Sequence, residues 1–398
     1  MKILQLCNKP PYPPVDGGTL AMNSITQGLL AAGHDVRVLA ISTDKHPVLD
    51  DRMDEAYRTT TRFEAVYVDL GIHPIDAAVA LLCGESYHVK RFVSKAFAAK
   101  LQAVLDDEEF DIIHVESIFL TPYIDLIRRH SKARVVLRAH NVEHLIWQRI
   151  AKSERNPLKR WYLKHLSLAL RVYESEHLNL YDGVLCITTT DARQLRDMGC
   201  RKPIEAVPFG VEPEPLCHVT VEPATLFHIG SMDWMPNREG IDWFLRQVWP
   251  LVHREMPQVR LYLAGRHTPD ELLHATIEGV SVVGEVADAM YFIGSKQINI
   301  VPLLSGSGIR VKIIEAMSAG KTVISTTIGA EGIDYEDGKH LLIADTPDAF
   351  VAQIRRCIDN PEYCDEIGRN AYRLIVEEYS NGALTKKILS FYNKLLSI

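Results

Sequence analysis

Apolar and polar positions in the first forty residues follow the order strand, loop, helix, strand. KILQLC (2–7) is an apolar run of strand length, and NKPPYPPVDGG (8–18) is broken by prolines and ends in two glycines. TLAMNSITQGLLAAG (19–33) has helical spacing up to Gly33, and HDVRVLAI (34–41) is apolar again. This is one βαβ unit. The alternation continues through FEAVYVDL (63–70), a helical KRFVSKAFAAKLQAVL (90–105), DIIHVES (111–117), a helix near PYIDLIRRH (122–130) and RVVLRAH (134–140); GVLCIT (183–188) follows a long helical stretch. Such near-continuous apolar strands between helices predict a parallel sheet covered on both faces.

Periodicity lapses over residues 200–224, where prolines cluster at 203, 208, 213, 215 and 223. This reads as an interdomain connection with its boundary near 215. A second series follows: TLFHIG (225–230), a helix from about 238 to 252, VRLYLAG (259–265), VSVVG (280–284), INIVP (298–302), a helix from about 310 to 319, TVIST (322–326) and HLLIA (340–344). From Thr346 onward the chain is almost wholly helical. The pattern predicts an α/β protein of two doubly wound, Rossmann-like domains. Their sheets' carboxyl ends are expected to face each other across a cleft, so that the loops after the strands carry function.

Composition adds exclusions. With 47% apolar and 24% charged residues in 398, the chain is an ordinary globular protein, neither disordered nor collagenous. Its formal charge of −7 argues against a generally basic surface for nucleic acid, so no nucleic-acid partner is expected. Seven scattered cysteines without a C-x-x-C pair indicate neither a disulfide framework nor a zinc knuckle, and the cytoplasm is the expected compartment. No run approaches a membrane-spanning helix, and the short apolar opening ahead of prolines reads as a strand, not a leader.

Three motifs tempt. No G-x-G-x-x-G follows the first strand, which argues against NAD or FAD. Gly320-Lys321-Thr322 mimics the end of a phosphate loop, but Glu315 stands where the earlier glycine belongs, and a strand follows where the motif needs a helix. His140-Asn141-Val142-Glu143-His144 fits H-x-x-E-H. It is read either as a zinc site with Glu143 as base, or as a loop and helix cap in which the two histidines need not share a face.

Residues 301–320, VPLLSGSGIRVKIIEAMSAG, read as a buried strand, a Ser/Gly loop and a helix. Glycines at 306 and 308 permit close backbone approach, and a helix start favours phosphate. Arg310 and Lys312 add full charge there, and Glu315 lies one turn beyond Val311, where a carboxylate accepts both hydroxyls of a ribose. Together they suggest a nucleoside diphosphate. The other reading is a tight βα turn with Arg310 and Lys312 solvated and Glu315 on the surface.

This segment resembles the retaining nucleotide-sugar glycosyltransferases of family 4, which have the GT-B architecture. SGIRVKIIEAMSAGKTVISTTIGAEGI occupies their E-G-F-G, E-A-M/A-A-x-G-x-P-V-V and G-G/A-x-E pattern. Further matches are the Gly17-Gly18 loop with LLAAGHDVRVL, PFGVE (208–212), HIGSMDWMPNREGIDWFL (228–245) and YLAGR (262–266), so the likeness spans nearly the whole chain.

The resemblance implies transfer of a sugar from a UDP- or GDP-sugar to a glycan or lipid-linked acceptor, with retention at the anomeric carbon, no bound catalytic metal and no other cofactor. It implies an acceptor-side domain over 1–214 and a donor domain over 215–379, with the final helix, about 380–398, packing back onto the first. Glu315 would hold the ribose. The N–H groups of Gly308, Ile309, Arg310 and Val311 would face the diphosphate, and Gly230 and Ser307 would belong to the same donor site. Gly17 and Gly18 would approach the sugar and leaving phosphate, and His140 would reach the sugar and act in catalysis; the other reading of His140 is a polar strand-end residue satisfied by local backbone. Two departures matter: Ser307 replaces the first glutamate of the E-x₇-E pair, and Gly230-Ser231 stands where many members carry a basic G-R-x-K-G arrangement. Arg310 and Lys312 occupy positions that the common pattern gives to Gly and Pro, and are expected to supply the missing phosphate neutralisation and so act in catalysis.

Two alternatives stand beside this reading: a sugar-nucleotide 2-epimerase on the same architecture, over which EAMSAG and PFGVE favour a transferase, and a non-catalytic nucleotide-sugar-binding protein prompted by Ser307. In the first domain, HVKRFVSKAFAAKLQAVL and RIAKSERNPLKRWYLKHLSLALRVYE mix basic and aromatic residues at helical spacing. They are read either as amphipathic helices with a solvated basic face, or as a peripheral contact with the inner face of a membrane.

Overall fold

A computed structural model describes residues 1–71, 86–213, 219–306 and 310–397. The expected boundary after residue 214 falls outside the described residues. By packing, the chain divides into two compact units, one of Met1–Phe209 with Leu384–Ile398 and the other of Gly210–Ala383.

The first unit holds seven parallel strands, β1 (Lys2–Cys7), β2 (Asp35–Ser42), β3 (Glu64–Tyr67), β4 (Ile112–Val115), β5 (Arg134–Ala139), β6 (Gly183–Cys186) and β7 (Ile204–Ala206), in the order β3-β2-β1-β4-β5-β6-β7. Strand β7 lies within the stretch read from sequence as pure connection. Three residues at a sheet edge carry too little alternation to announce themselves, but they pair in parallel with Val184–Cys186. The second unit repeats the plan with β8 (Thr225–Ile229), β9 (Arg260–Ala264), β10 (Val280–Gly284), β11 (Ile298–Val301), β12 (Thr322–Ser325) and β13 (Leu342–Ile343), ordered β10-β9-β8-β11-β12-β13.

Both orders reverse beside the first strand of the unit, between β1 and β4 and between β8 and β11. In doubly wound sheets, that reversal opens a crevice at the strands' carboxyl ends. Strand β11 is buried at every position and β4 likewise, which holds their polar members, Asn299 and His114, away from water.

Local chemistry sets the helix starts. Asp16 accepts from the Thr19 amide, and Thr19 Oγ1 accepts from the Asp16 amide at 2.9 Å, a reciprocal cap that begins the first helix at Gly17. Gly17 and Gly18 are therefore the opening turn of the helix Gly17–Ala31, and not the loop expected from sequence. The helical run expected over 90–105 is likewise split into Tyr87–Lys90 and Lys95–Asp107, because Ser94 caps the latter by accepting from the Phe97 amide. The helix expected from about 238 begins at Met235.

Candidate active site

At the crevice of the second sheet lies a cavity of about 540 Å³, lined by loops after β8, β9, β10 and β11. Its size is that of a small-ligand site. The helix Val311–Ser318 forms one wall: Ile313, Ile314, Ala316 and Met317 point into the core, while Val311, Lys312 and Glu315, spaced by three and four residues, line the cavity. Arg310 precedes the helix and is 4% exposed.

Lys312 Nζ is the hub. It donates to Asn237 Oδ1 and lies 3.3 Å from His228 Nε2. Asn237 is oriented because its Nδ2 donates to the Ser231 carbonyl at 2.7 Å. His228 is fully buried in β8, and its Nδ1 meets the Ile300 carbonyl at 2.9 Å. A carbonyl only accepts, so the proton sits on Nδ1 and Nε2 offers its lone pair to the lysine. Burial and the facing Lys312 hold His228 well below the usual histidine range, which keeps it neutral.

The cationic side is under electrostatic pressure. Burial and the neighbouring Arg310 bring Lys312 down to about 7, with Glu315 pulling the other way. Burial raises the Glu315 carboxyl, opposed by Lys312. Trp234 braces both cations, its ring centroid 5.4 Å from Arg310 Cζ and 5.8 Å from Lys312 Nζ.

A Cβ on Gly230 would lie 2.6 Å from Lys312 Nζ and 2.8 Å from Asn237 Nδ2, so a larger residue there would displace the lysine and its partner. At Gly265 a Cβ would lie 1.8 Å from the Gly230 carbonyl oxygen, so two loops meet backbone to backbone at the cavity edge.

Sequence reasoning named Gly230, Arg310, Val311, Lys312 and Glu315, and the structure gathers them around this one cavity. The named Ser307, Gly308 and Ile309 lie outside the described residues. His228, Trp234, Asn237 and Arg266 were not singled out. A histidine within the apolar strand TLFHI was the available signal, since a buried polar side chain demands a partner.

Gly17, Gly18 and His140 belong to the first unit. Lys9 Nζ lies 2.7 Å from both Asp16 carboxylate oxygens, and a Cβ on Gly18 would come within 2.9 Å of that ammonium. His140 follows β5, and its Nε2 lies 2.8 Å from Glu116 Oε2. His144, inside the helix Glu143–Ser153, instead turns Nδ1 to Glu174 Oε2 at 2.7 Å, and Glu174 also accepts from the Glu143 and His144 amides. The two histidines of the H-x-x-E-H string thus serve different carboxylates. Among the described residues no group of three or more His, Cys, Asp or Glu is placed to hold a metal. Lys321 of the phosphate-loop mimic is buried and donates to the Gly294 carbonyl at 2.6 Å, a structural role.

The family model for Glycosyltransferase Family 4 matches residues 15–215, half of the chain, and that for Glycosyl transferases group 1 matches residues 223–360. The chain belongs to glycosyltransferase family 4. A relative, an uncharacterized 44.6 kDa protein in the cps region of Klebsiella pneumoniae, is 24% identical, with 98% of each chain covered. Among solved structures, Anabaena HepE in complex with UDP superimposes with a TM-score of 0.67 at 14% identity, over 99% of this chain and 100% of that one. Sucrose-phosphate synthase from Thermosynechococcus elongatus gives 0.67 at 17% identity, with 100% of both chains covered. At such identities these likenesses establish the fold: two parallel-sheet α/β domains of the GT-B glycosyltransferases.

Proposed function

We propose that this glycosyltransferase takes a nucleoside diphosphate sugar into the cavity of its second unit and passes the sugar to a glycan or lipid-linked acceptor. The observation that carries the reading is the convergence of Arg310, Lys312, a helix start and Glu315 on one cavity. Lys312 and Arg310 neutralise the diphosphate beside Gly230, Val311 and the stretch 307–309, and Glu315 accepts the ribose diol. Lys312 approaches the Gly230 turn itself, where the resemblance leads one to expect basic residues, so its charge replaces theirs. UDP is favoured over GDP as the donor nucleotide because HepE was solved with UDP.

Gly17 and Gly18 at their helix start and His140 serve the donor sugar from the first unit. Transfer proceeds with retention and without a catalytic metal, the departing phosphate accepting the acceptor's proton, so the protein supplies orientation and stabilisation of the leaving diphosphate. A place in polysaccharide assembly accords with the relative in a cps region. Among the described residues no helix is long and apolar enough to cross a membrane, and a peripheral contact is assigned to the exposed face of the helix Pro157–His177.

The test is thermal unfolding with UDP, GDP, ADP and their common sugar derivatives, each with and without EDTA, followed by assay of transfer. Binding to the native state raises apparent stability by mass action. A shift with uridine nucleotides that survives EDTA, and a glycosylated product, are expected. No shift with any diphosphate would overturn the reading, and an isomerised sugar nucleotide formed without acceptor would make the enzyme an epimerase.

A further inference from the structure

Glu116 immediately follows β4 at the crevice of the first sheet and is fully buried. An isolated carboxylate there would carry a large desolvation cost, yet this one is surrounded by donors. Gln5 Nε2, from β1, donates to Oε1 at 2.6 Å, and Gln5 is itself fixed by Thr26 Oγ1, which donates to its Oε1 at 2.6 Å. His114 Nε2 stands 3.2 Å from Oε1, and the Tyr392 hydroxyl of the last helix lies 2.5 Å from His114 Nδ1. On its other oxygen Glu116 meets His140 Nε2 at 2.8 Å. His140 is the member of this cluster that keeps a solvent-facing surface, with a fifth of its side chain exposed.

The geometry has one chemical consequence for His140. A carboxylate only accepts, so the proton on Nε2 is held toward Glu116, and the neutral ring carries its lone pair on Nδ1. Burial would push the Glu116 carboxyl up, but the facing His114 and His140 rings hold it well below the usual range, so the acceptor stays ionised. A ring fixed in this way offers Nδ1 as an acceptor of constant direction, suited to a hydroxyl that must be held in one orientation.

We propose that Glu116 is a positioning residue: it locks His140 in the Nε2–H tautomer, so that Nδ1 accepts a hydroxyl of the donor sugar. The part concerning the sugar rests on the donor-side role proposed for His140; the part concerning the tautomer does not. Gln5, Thr26, His114 and Tyr392 hold the carboxylate in turn, which ties the ring's orientation to residues from β1, the first helix and the last helix. Nothing in the spacing of residues 5, 116, 140 and 392 announces this, because the fold alone brings them together.

The experiment uses the full chain labelled with ¹⁵N-histidine, with His140 signals identified by their loss in H140Q. In the unsubstituted enzyme, with the ring neutral, His140 is expected to show a protonated Nε2 and an unprotonated Nδ1. In Glu116→Gln the amide offers both donor and acceptor, so a mixture of tautomers is expected. The turnover number should then fall about 10–100-fold, the scale seen when a group that orients another is removed, with the donor KM changed less than the turnover number. An Nδ1–H tautomer in the unsubstituted enzyme would overturn the proposal, as would an unchanged tautomer in Glu116→Gln. If Glu116→Gln does not fold, the tautomer of the unsubstituted enzyme still decides. Full transfer by His140→Ala would sink the donor-side role of His140 while leaving the tautomer result to stand or fall alone.

Discussion

Lys312 is a lysine held near the point of losing its charge. Its ordinary value near 10.5 falls to about 7, chiefly through burial and then through Arg310. A diphosphate requires the ammonium form, so UDP affinity should be nearly flat below pH 7 and weaken by up to about tenfold per pH unit above it, while protonating the lysine grows costlier. Calorimetric titration from pH 6 to 9 checks this. In Lys312→Met the steeper part of the slope should vanish, leaving only the nucleotide's own titration, and turnover should fall about a hundredfold. The sign for stability is opposite. The folded-state pKa lies below the unfolded one, so the unfolded chain binds more protons between about pH 7 and 10.5 and the lysine's penalty is greatest below 7. Lys312→Met should therefore be at least as stable as the unsubstituted protein at pH 6. A clear loss of stability there would refute the account of a strained cation. The parts within six residues, Arg310, Lys312 and Glu315, were legible in the sequence because one helical turn and a half carries them. His228 and Asn237, which hold the lysine from 84 and 75 positions away, were not. Glu116 was equally hidden, although a glutamate closing the apolar run DIIHVE signals a buried charge in need of partners.

The helix Pro157–His177 has two apolar faces, and only one is covered. Leu163, Leu166 and Leu170 are buried, with Leu163 and Leu166 in a cluster that includes Ala151 of the preceding helix. Leu158, Trp161, Leu168 and Val172 are 79%, 60%, 60% and 54% exposed. Their spacing of three, seven and four residues sets them in one stripe, with His165 in the gap stacked on Trp161 at 6.1 Å. Lys164 and Arg171 are exposed along its flank, while Lys159 pairs with Glu154 at 2.8 Å. The sequence allowed a plainly solvated basic face here; the structure adds an exposed apolar stripe with basic residues at its flank. This combination suits an anionic lipid surface, where apolar side chains enter the interface and ammonium groups meet phosphate. Co-sedimentation with phosphatidylglycerol vesicles should exceed that with neutral phosphatidylcholine vesicles, and Trp161→Glu with Leu168→Glu should abolish the difference without moving the UDP response. Equal and poor binding to both vesicles would remove the lipid assignment. Element boundaries were less legible than elements: the caps at Asp16 and Ser94 shifted two helix starts, and a three-residue edge strand escaped notice.

The two compact units are not two consecutive stretches of chain, because Leu384–Ile398 returns to the first unit after the second is complete. Leu384, Ile388, Phe391, Tyr392 and Leu395 are buried in the same core as Ile3, Val36 and Val136 of the first sheet. Room for this helix is made by glycines: a Cβ at Gly28 would lie 2.0 Å from Thr385 Oγ1, and one at Gly183 would lie 2.6 Å from Phe391 Cζ. The last helix is thus a part of the first core that the chain supplies last, and the first unit cannot finish folding until about 390 residues are available. Phe391→Ala opens a cavity in that core and should cost it about 3–5 kcal/mol. Because a two-unit chain need not unfold in one step, the prediction concerns which unit yields. Denaturant unfolding followed with and without UDP separates them, since the ligand protects the second unit by mass action. The transition insensitive to UDP should move to lower denaturant in Phe391→Ala, while the UDP-sensitive transition stays in place. Loss of the UDP-sensitive transition first would mean that the helix stabilises the second unit instead. An unmoved first transition would mean that this end of the chain contributes nothing to the core that encloses it.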